Sequence, residues 1–261
     1  MAQKSKEASK TAKPSAKAAK GSKNPRKTRR PIWRQIARIA VSVLLVMILL
    51  PLLWIASYRI INPPTNYYML SEAWRLGGIE REWRDLEEMS AHLPEAAMAA
   101  EDSGFCAHFG LDFEAIERAL EANKSGKRLR GGSTITQQVA KNAFLWPKRS
   151  WTRKGLEAGF AVMIEVMWPK SRIIEIYLNI AEFDEGVFGV QAASQHYFGK
   201  DAAKLTRIEA SRLAAILPDP KGRSASRPGN WTRSRAASIA KGAATLRGEG
   251  RSDCISIASK A

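Results

Sequence analysis

RGGSTITQQVAKN, Arg130 to Asn142, carries two glycines, three hydroxyls, two glutamines and a closing lysine. A phosphate-binding P-loop needs four residues between its glycines and then Gly-Lys-Ser/Thr. Here Lys141 trails the glycine pair by nine positions, so the spacing excludes that motif. The glycines instead permit a tight turn. After it, Thr134 and Gln137 stand three apart as a capping box that opens a helix. On that helix Thr134, Gln138 and Lys141 share one face, because steps of four and three residues nearly complete whole turns. The face is polar and singly positive, and a capped surface helix would show the same pattern. Its purpose has to be sought in its neighbours.

Working outward, the same helical grammar recurs. PEAAMAAED begins at Pro94, with Gly104 just past its end, and puts Ala97, Met98 and Glu101 on one face. Asp112 caps a helix whose stripe is Phe113, Ile116 and Leu120. Downstream, helices are predicted from Arg153 to Met167, from Ser171 through Leu178, and from Ala192 to Phe198. Thr206 and Glu209 form a second capping box ahead of Leu213, Ile216 and Leu217, and Pro218 with Pro220 end that helix. No strand ladder and no internal repeat is legible, so the fold class is mainly α. Residues 59–93, with Pro63, Pro64 and Gly77-Gly78, read as a linker and the start of the exported domain, carrying little chemistry. The helical domain is expected over 94–250, with a frayed end at 251–261.

The chain has 261 residues, enough for one or two domains, and its 45% hydrophobic content supports a real core. Its net charge of +17 would ordinarily suggest nucleic acid as a partner, but the excess is concentrated in the first 38 residues. That segment is Lys, Ala and Ser with almost no large apolar side chains, and is expected to be a disordered basic cytoplasmic tail. Then follows IAVSVLLVMILLPLLWIAS, Ile39 to Ser57, close to the roughly 20 apolar residues that span a bilayer. A transmembrane helix is assigned to 39–58, flanked by Arg34 and Arg38 before it and closed by Trp54 and Tyr58; a cleavable signal peptide is the competing reading, against which stand the length of the apolar run and the lack of a clear small-residue cleavage site after it. The positive-inside rule puts the N-terminus in the cytoplasm and everything beyond Tyr58 outside.

Two acids stand out. Glu101 shares its face with Ala97 and Met98, where an ionised carboxylate loses solvation and its pKa rises, as a general acid or base requires. Glu157, in WTRKGLEAGFA, follows Arg153 by four and Lys154 by three and precedes Ala161 and Ile164 on an apolar stripe, so it should face inward. A pair of carboxylates is the usual equipment of glycosidic chemistry. Structural ion pairs would account for either acid taken alone. Between them AFLWPKRSW, Ala143 to Trp151, alternates aromatic and aliphatic side chains with Lys148 and Arg149, which suits a membrane surface, or else core packing of the aromatics. His92, His108 and His196 are too scattered to suggest a zinc site, and no metal ligands are assigned. Cys106 and Cys254 are read as two unpaired thiols, although an oxidising compartment would permit one bridge.

Five segments in order resemble the peptidoglycan glycosyltransferases: EDSGFCAHFG (Glu101–Gly110), GGSTITQQVAKN (Gly131–Asn142), RKGLE (Arg153–Glu157), IIEIYLNIAEFDEGVFGVQAASQHYFGK (Ile173–Lys200) and EASRLAAILPDP (Glu209–Pro220). The resemblance covers residues 40–245 and is greatest to the monofunctional, membrane-anchored branch. The chain departs at Asp184 and Glu185, where the family pattern has Gly followed by Asp or Asn, and in KGRSAS after Pro220, which lacks Tyr-Asn-Pro.

The resemblance implies a lysozyme-like, two-lobed helical domain that polymerises lipid II into β-1,4-linked glycan on undecaprenyl pyrophosphate. By it Glu101 is the catalytic base and Glu157 the second essential acid. Lys141, Arg153 and Lys154 serve the pyrophosphate, Thr134 and Gln138 line the donor site, and Asp102, Phe105 and His108 support the first motif. Asn142, Glu175, Tyr177 and Asn179 match positions that hold the cleft together. No cofactor is required by these residues, though Mg²⁺ or Mn²⁺ is a candidate assistant at the pyrophosphate. The implied partners are lipid II, the growing glycan strand, membrane lipid and wall-synthesis or cell-division proteins, without nucleic acid. The implied location is the bacterial inner membrane, with a periplasmic catalytic domain. The rival readings are a lysozyme-like glycan-cleaving enzyme and a non-enzymatic anchored binding protein. Transpeptidation is set aside, since the lone SIAK at Ser238–Lys241 has no Ser-x-Asn or Lys-Thr-Gly partner.

Overall fold

The computed structural model describes residues 32–124, 132–148 and 150–256. The basic tail through Pro31, together with Arg130, Gly131, Arg149 and residues 257–261, lies outside them. Helix α1 (Ile32–Tyr58) is one helix of 27 residues, long and apolar enough to cross a membrane, with a mean hydropathy of 2.8 over its best window. It starts earlier than the apolar run alone predicts, taking in Arg34 and Arg38, and it accommodates Pro51.

The chain separates into two units, residues 1–47 and 48–261. Within the second, the end of α1 is built into the helical domain. Ile55 is fully buried, and its carbonyl accepts a 2.8 Å bond from Trp168 Nε1. The rings of Trp54 and Tyr58 lie 5.1 and 5.4 Å from that of Phe144.

Helix α2 (Tyr67–Leu76) is capped by Asn66, whose Oδ1 accepts from Met69 N, and stops at Gly77 with φ +77°. Strand β1 (Glu80–Arg81) follows, so residues 59–93 are folded structure and not merely a linker. The main helices are α3 (His92–Glu101), α4 (Phe113–Lys124), α5 (Ile135–Phe144), α6 (Trp151–Met167) and α7 (Lys170–Ile180). Strands β2 (Glu182–Asp184) and β3 (Val187–Phe188) come next, then α8 (Val190–Phe198), α9 (Arg207–Ile216) and α10 (Asn230–Gly248). β3 pairs in parallel with β1 and antiparallel with β2, giving the order β1-β3-β2. These strands correct the strand-free expectation. At two or three residues each they are too short for a period-2 alternation to show.

Both predicted capping boxes form. Thr134 Oγ1 accepts from Gln137 N while Gln137 Oε1 accepts from Thr134 N, and Thr206 and Glu209 do the same. Helix α5 packs against both α6 and α7, while α3, α9 and α10 pack against one another as a trio. The centre is apolar, with Ile173, Ile174, Ile176 and Tyr177 of α7 buried beside Met98, Phe105, Ile135 and Ile164. Gly110, at φ +76°, lets the chain after α3 press onto α6, where an added Cβ would stand 3.0 Å from Ala161 O.

Three further expectations are corrected. Phe113 and Leu120 of α4 are 73% and 55% exposed, and it is Ala119 that turns inward. Cys106 and Cys254 form a disulfide, with Cα atoms 5.6 Å apart across 148 residues of sequence. Their proximity depends on α10 returning to α3, a tertiary event that spacing along the chain does not reveal. The same return orders residues 251–256, where Ile255 is buried, so that stretch is not frayed.

Candidate active site

Glu101 is the last residue of α3, with part of its surface open to a cleft and its carboxylate taking a 2.9 Å bond from Gln138 Nε2 on α5. Burial pushes its pKa above the usual carboxylate value, and nearby Asp102 adds to that; Gln138, Arg235 and Lys141 oppose it. Lys141 lies one turn beyond Gln138. Burial lowers the pKa of its ammonium, as do the charges of Arg153 and Lys154, against the pull of Glu157 and Glu101.

The other wall is the first two turns of α6, whose N-cap Ser150 accepts from Arg153 N at 3.1 Å. Glu157, only 3% exposed, accepts from Arg153 Nη1 at 2.9 Å and from Lys154 Nζ. The i, i+3 and i, i+4 spacing of RKGLE puts all three groups on one helical face. Lys154 Nζ also donates to Ser133 Oγ at 3.1 Å, tying α6 to the turn before α5. The cleft between these walls measures about 920 Å³ and is lined by Glu101, Gln138, Lys141, Arg153, Lys154 and Glu157, with Ser133, Pro147, Ser150 and Trp151.

The remaining sequence-selected residues stand behind or beside this cleft. Asp102 is buried, holding His108 Nε2 through both oxygens at 3.0 Å and accepting from Ile135 N at 3.0 Å, so it clamps the start of α5 to the end of α3. Phe105 is fully buried in the core. Thr134 is 2% exposed and gives its hydroxyl to Gly110 O at 2.6 Å. Asn142 lines a smaller hollow of about 170 Å³ that shares Gln138 and Lys141 with the cleft and also meets Asn66, Tyr68, Tyr177 and Glu182. Asn179 exchanges bonds with the backbone of Arg84, at 2.9 and 2.8 Å, and Glu175 accepts from Leu86 N, so α7 fixes the segment entering α3.

Ser133, Ser150 and Tyr68 carry no signal in the sequence pattern; Trp151, in the stretch that suits a membrane surface or core packing, is exposed and lies at the edge of the cleft. Tyr68 donates to Glu182 at 2.7 Å and lies under Lys221, 5.7 Å from its ring; burial and Glu182 push its hydroxyl up to about 12. Lys221 in turn bonds Glu72 at 2.9 Å and pairs with Glu182. The departures at 184 and 185 find local partners: Asp184 accepts from Tyr197 at 2.9 Å, and Glu185 pairs with Arg75.

Among the described residues, Asp102, His108 and Asp112 are the group close enough to hold a metal ion. Asp102 is already committed to His108 and Ile135, and Asp112 caps Ala115 at 2.7 Å, which accounts for these side chains without one.

A family model described as Transglycosylase matches residues 70–244. The chain is 44% identical over 224 residues to the biosynthetic peptidoglycan transglycosylase of Caulobacter vibrioides, covering 86% of this chain and 98% of that one. It is 49% identical over 206 residues to a protein of the same name from Jannaschia sp., covering 79% and 84%. Against that of Xanthomonas campestris pv. campestris it is 46% identical over 242 residues, covering 88% and 95%.

Proposed function

The chain belongs to the transglycosylase family, as a peptidoglycan glycosyltransferase of cell-wall synthesis, and on that premise we propose that it polymerises lipid II with release of undecaprenyl pyrophosphate. The observation that carries this reading is the pairing, in one cleft, of a carboxylate made more basic by burial with three cations gathered around a second carboxylate.

Glu101 takes the proton from the 4-hydroxyl of the acceptor GlcNAc as that oxygen attacks C1 of the donor MurNAc, inverting it. A raised pKa makes Glu101 the stronger base. The bond to the lipid-linked pyrophosphate breaks, and negative charge grows on the departing oxygens. Lys141, Arg153 and Lys154 receive it, within a partly dehydrated cleft where fixed charges act strongly. Glu157 keeps the two α6 cations aimed and holds their mutual repulsion in check. Lys141 is charged at a cost, because burial and its two cationic neighbours oppose its protonation, so an arriving dianion relieves it.

A protein-held divalent ion fits this donor set poorly. Glu157 is occupied by Arg153 and Lys154, and Glu101 alone remains, whereas Mg²⁺ favours several oxygen ligands. No step is assigned to a metal. We assign α1 to the cytoplasmic membrane with its N-terminus inside, and the exposed Trp151 and half-exposed Trp146 to the headgroup level above it. Detergent-solubilised full-length protein incubated with labelled lipid II tests the whole reading. Growth of lysozyme-sensitive polymer is expected; absence of polymer, or digestion of finished glycan, would refute it.

A further inference from the structure

We propose that Arg235 is a positioning residue for the Glu101 base, acting on the end of α3 from α10; the inference rests on the assignment of Glu101 as that base. Glu101 occupies the last turn of α3, where unsatisfied carbonyls leave partial negative charge. A carboxylate there is opposed by the helix end as well as by burial. Arg235 Nη2 donates to the carbonyl of Ala100, the residue before Glu101, at 2.8 Å, filling one of those open acceptors and bringing a full positive charge to the negative end of the helix.

Arg84, Arg153 and Arg172 each spend their charge on a carboxylate, whereas Arg235, like Arg81, has no ion pair among the described residues and meets a backbone carbonyl instead. Its charge therefore stays available to Glu101. It does not line the cleft, so it acts through Glu101 without touching substrate. The groups that face Glu101 are Gln138 and Lys141 from α5, the Tyr177 hydroxyl from α7, Asp102 beside it, and Arg235 from α10. Of the two cations, Lys141 is drawn to the pyrophosphate when donor binds. Arg235 is the one that remains with the base.

The C-terminal segment holds this arrangement in place. Arg251 Nη2 donates to Ser103 O at 3.0 Å, the Cys106–Cys254 bridge joins the same turn, and Arg247 Nε bonds Glu95 at 2.6 Å further back on α3.

The test is lipid II polymerisation by the full-length protein across pH, for wild type, Arg235→Gln and Arg235→Lys. Arg235→Gln should lower kcat by roughly ten- to a hundredfold, the scale of a misplaced catalytic group, with KM within about twofold. It should also move the acidic limb of kcat to higher pH, because a cation that favours the carboxylate is gone. Arg235→Lys should return the limb and most of the rate. Arg235→Met, which keeps the aliphatic stem packed, replaces Arg235→Gln should the latter not fold. A neutral variant that melts normally yet leaves the limb in place would overturn the proposal, whatever its rate, and so would a Lys variant whose limb matches the neutral one. Failure of the wild type to make polymer would instead strike at the lipid II reading on which the proposal stands.

Discussion

Arg153 and Glu157 face each other one turn apart on α6, Nη1 to Oε2 at 2.9 Å, with both side chains more than nine-tenths buried. A buried pair of this kind contributes little net stability, but removing one partner leaves the other charged and unpaired, typically at a cost of about 3–5 kcal/mol. Here the cost is compounded, since Glu157 also accepts from Lys154, and Lys141 borders the same cleft. Glu157→Gln is therefore expected to lower the stability of the domain by about 3 kcal/mol and to abolish polymerisation. Thermal unfolding and the lipid II assay check the two parts. An inactive variant with unchanged melting would mean that Glu157 acts in the chemistry without holding the cations.

Glu101→Gln separates base chemistry from fold. The amide keeps the size and can still meet Gln138, yet it cannot accept a proton, so turnover should fall by at least about 10²–10⁴-fold, with lipid II binding largely intact. Stability should move the other way. The folded pKa of Glu101 lies above its unfolded value, so folding favours the protonated form. Its stability contribution is greatest below the unfolded pKa and is lost as pH rises through the folded pKa. The Gln variant should consequently be more stable than wild type at neutral pH, with the difference vanishing in acid below the unfolded value. A variant with near-normal turnover would remove Glu101 from the role of base.

What could be read from the chain divides along physical lines. The capping boxes at Thr134 and Thr206 and the face shared by Gln138 and Lys141 follow from local geometry, and all are found in place. The RKGLE cluster was legible for the same reason, because i, i+3 and i, i+4 neighbours meet on any helix. Arg235, Tyr68 and the Cys106–Cys254 bridge were not. Each meets its partner across 114 to 148 residues, and nothing in the local pattern marks them. The exposed Phe113 shows the converse limit, since a correct helical period did not tell which side would be covered.

The disulfide should matter more to stability than to chemistry. It closes a separation of 148 residues, and long loops gain most from the entropy lost by the unfolded chain. Cys106→Ser with Cys254→Ser, or reduction of the wild type, is expected to cost about 2–5 kcal/mol, seen as a lower melting temperature. Reduction should leave the double variant unaffected. Equal melting of the reduced and oxidised wild type would show that the Arg247 and Arg251 contacts hold the C-terminal segment unaided.

Lys141 provides a complementary case of a group whose working charge opposes the fold. Its pKa is lowered in the folded state by burial and by Arg153 and Lys154. The folded protein thus binds that proton less tightly than the unfolded chain, and stability rises with pH through the window between the two values. Lys141→Met should remove this penalty at neutral pH, making the domain no less stable than wild type, while taking one cation from the leaving group. Charge-assisted bonds to anions are worth about 1.5–3 kcal/mol, so affinity for a pyrophosphate-linked donor should fall by roughly ten- to a hundredfold, with a further loss in turnover. Titrating wild type and variant with lipid II, beside their melting curves, measures both effects. A variant that binds donor normally would place the pyrophosphate on Arg153 and Lys154 alone, and one that melts well below wild type would mean that the Lys141 ammonium supports the fold.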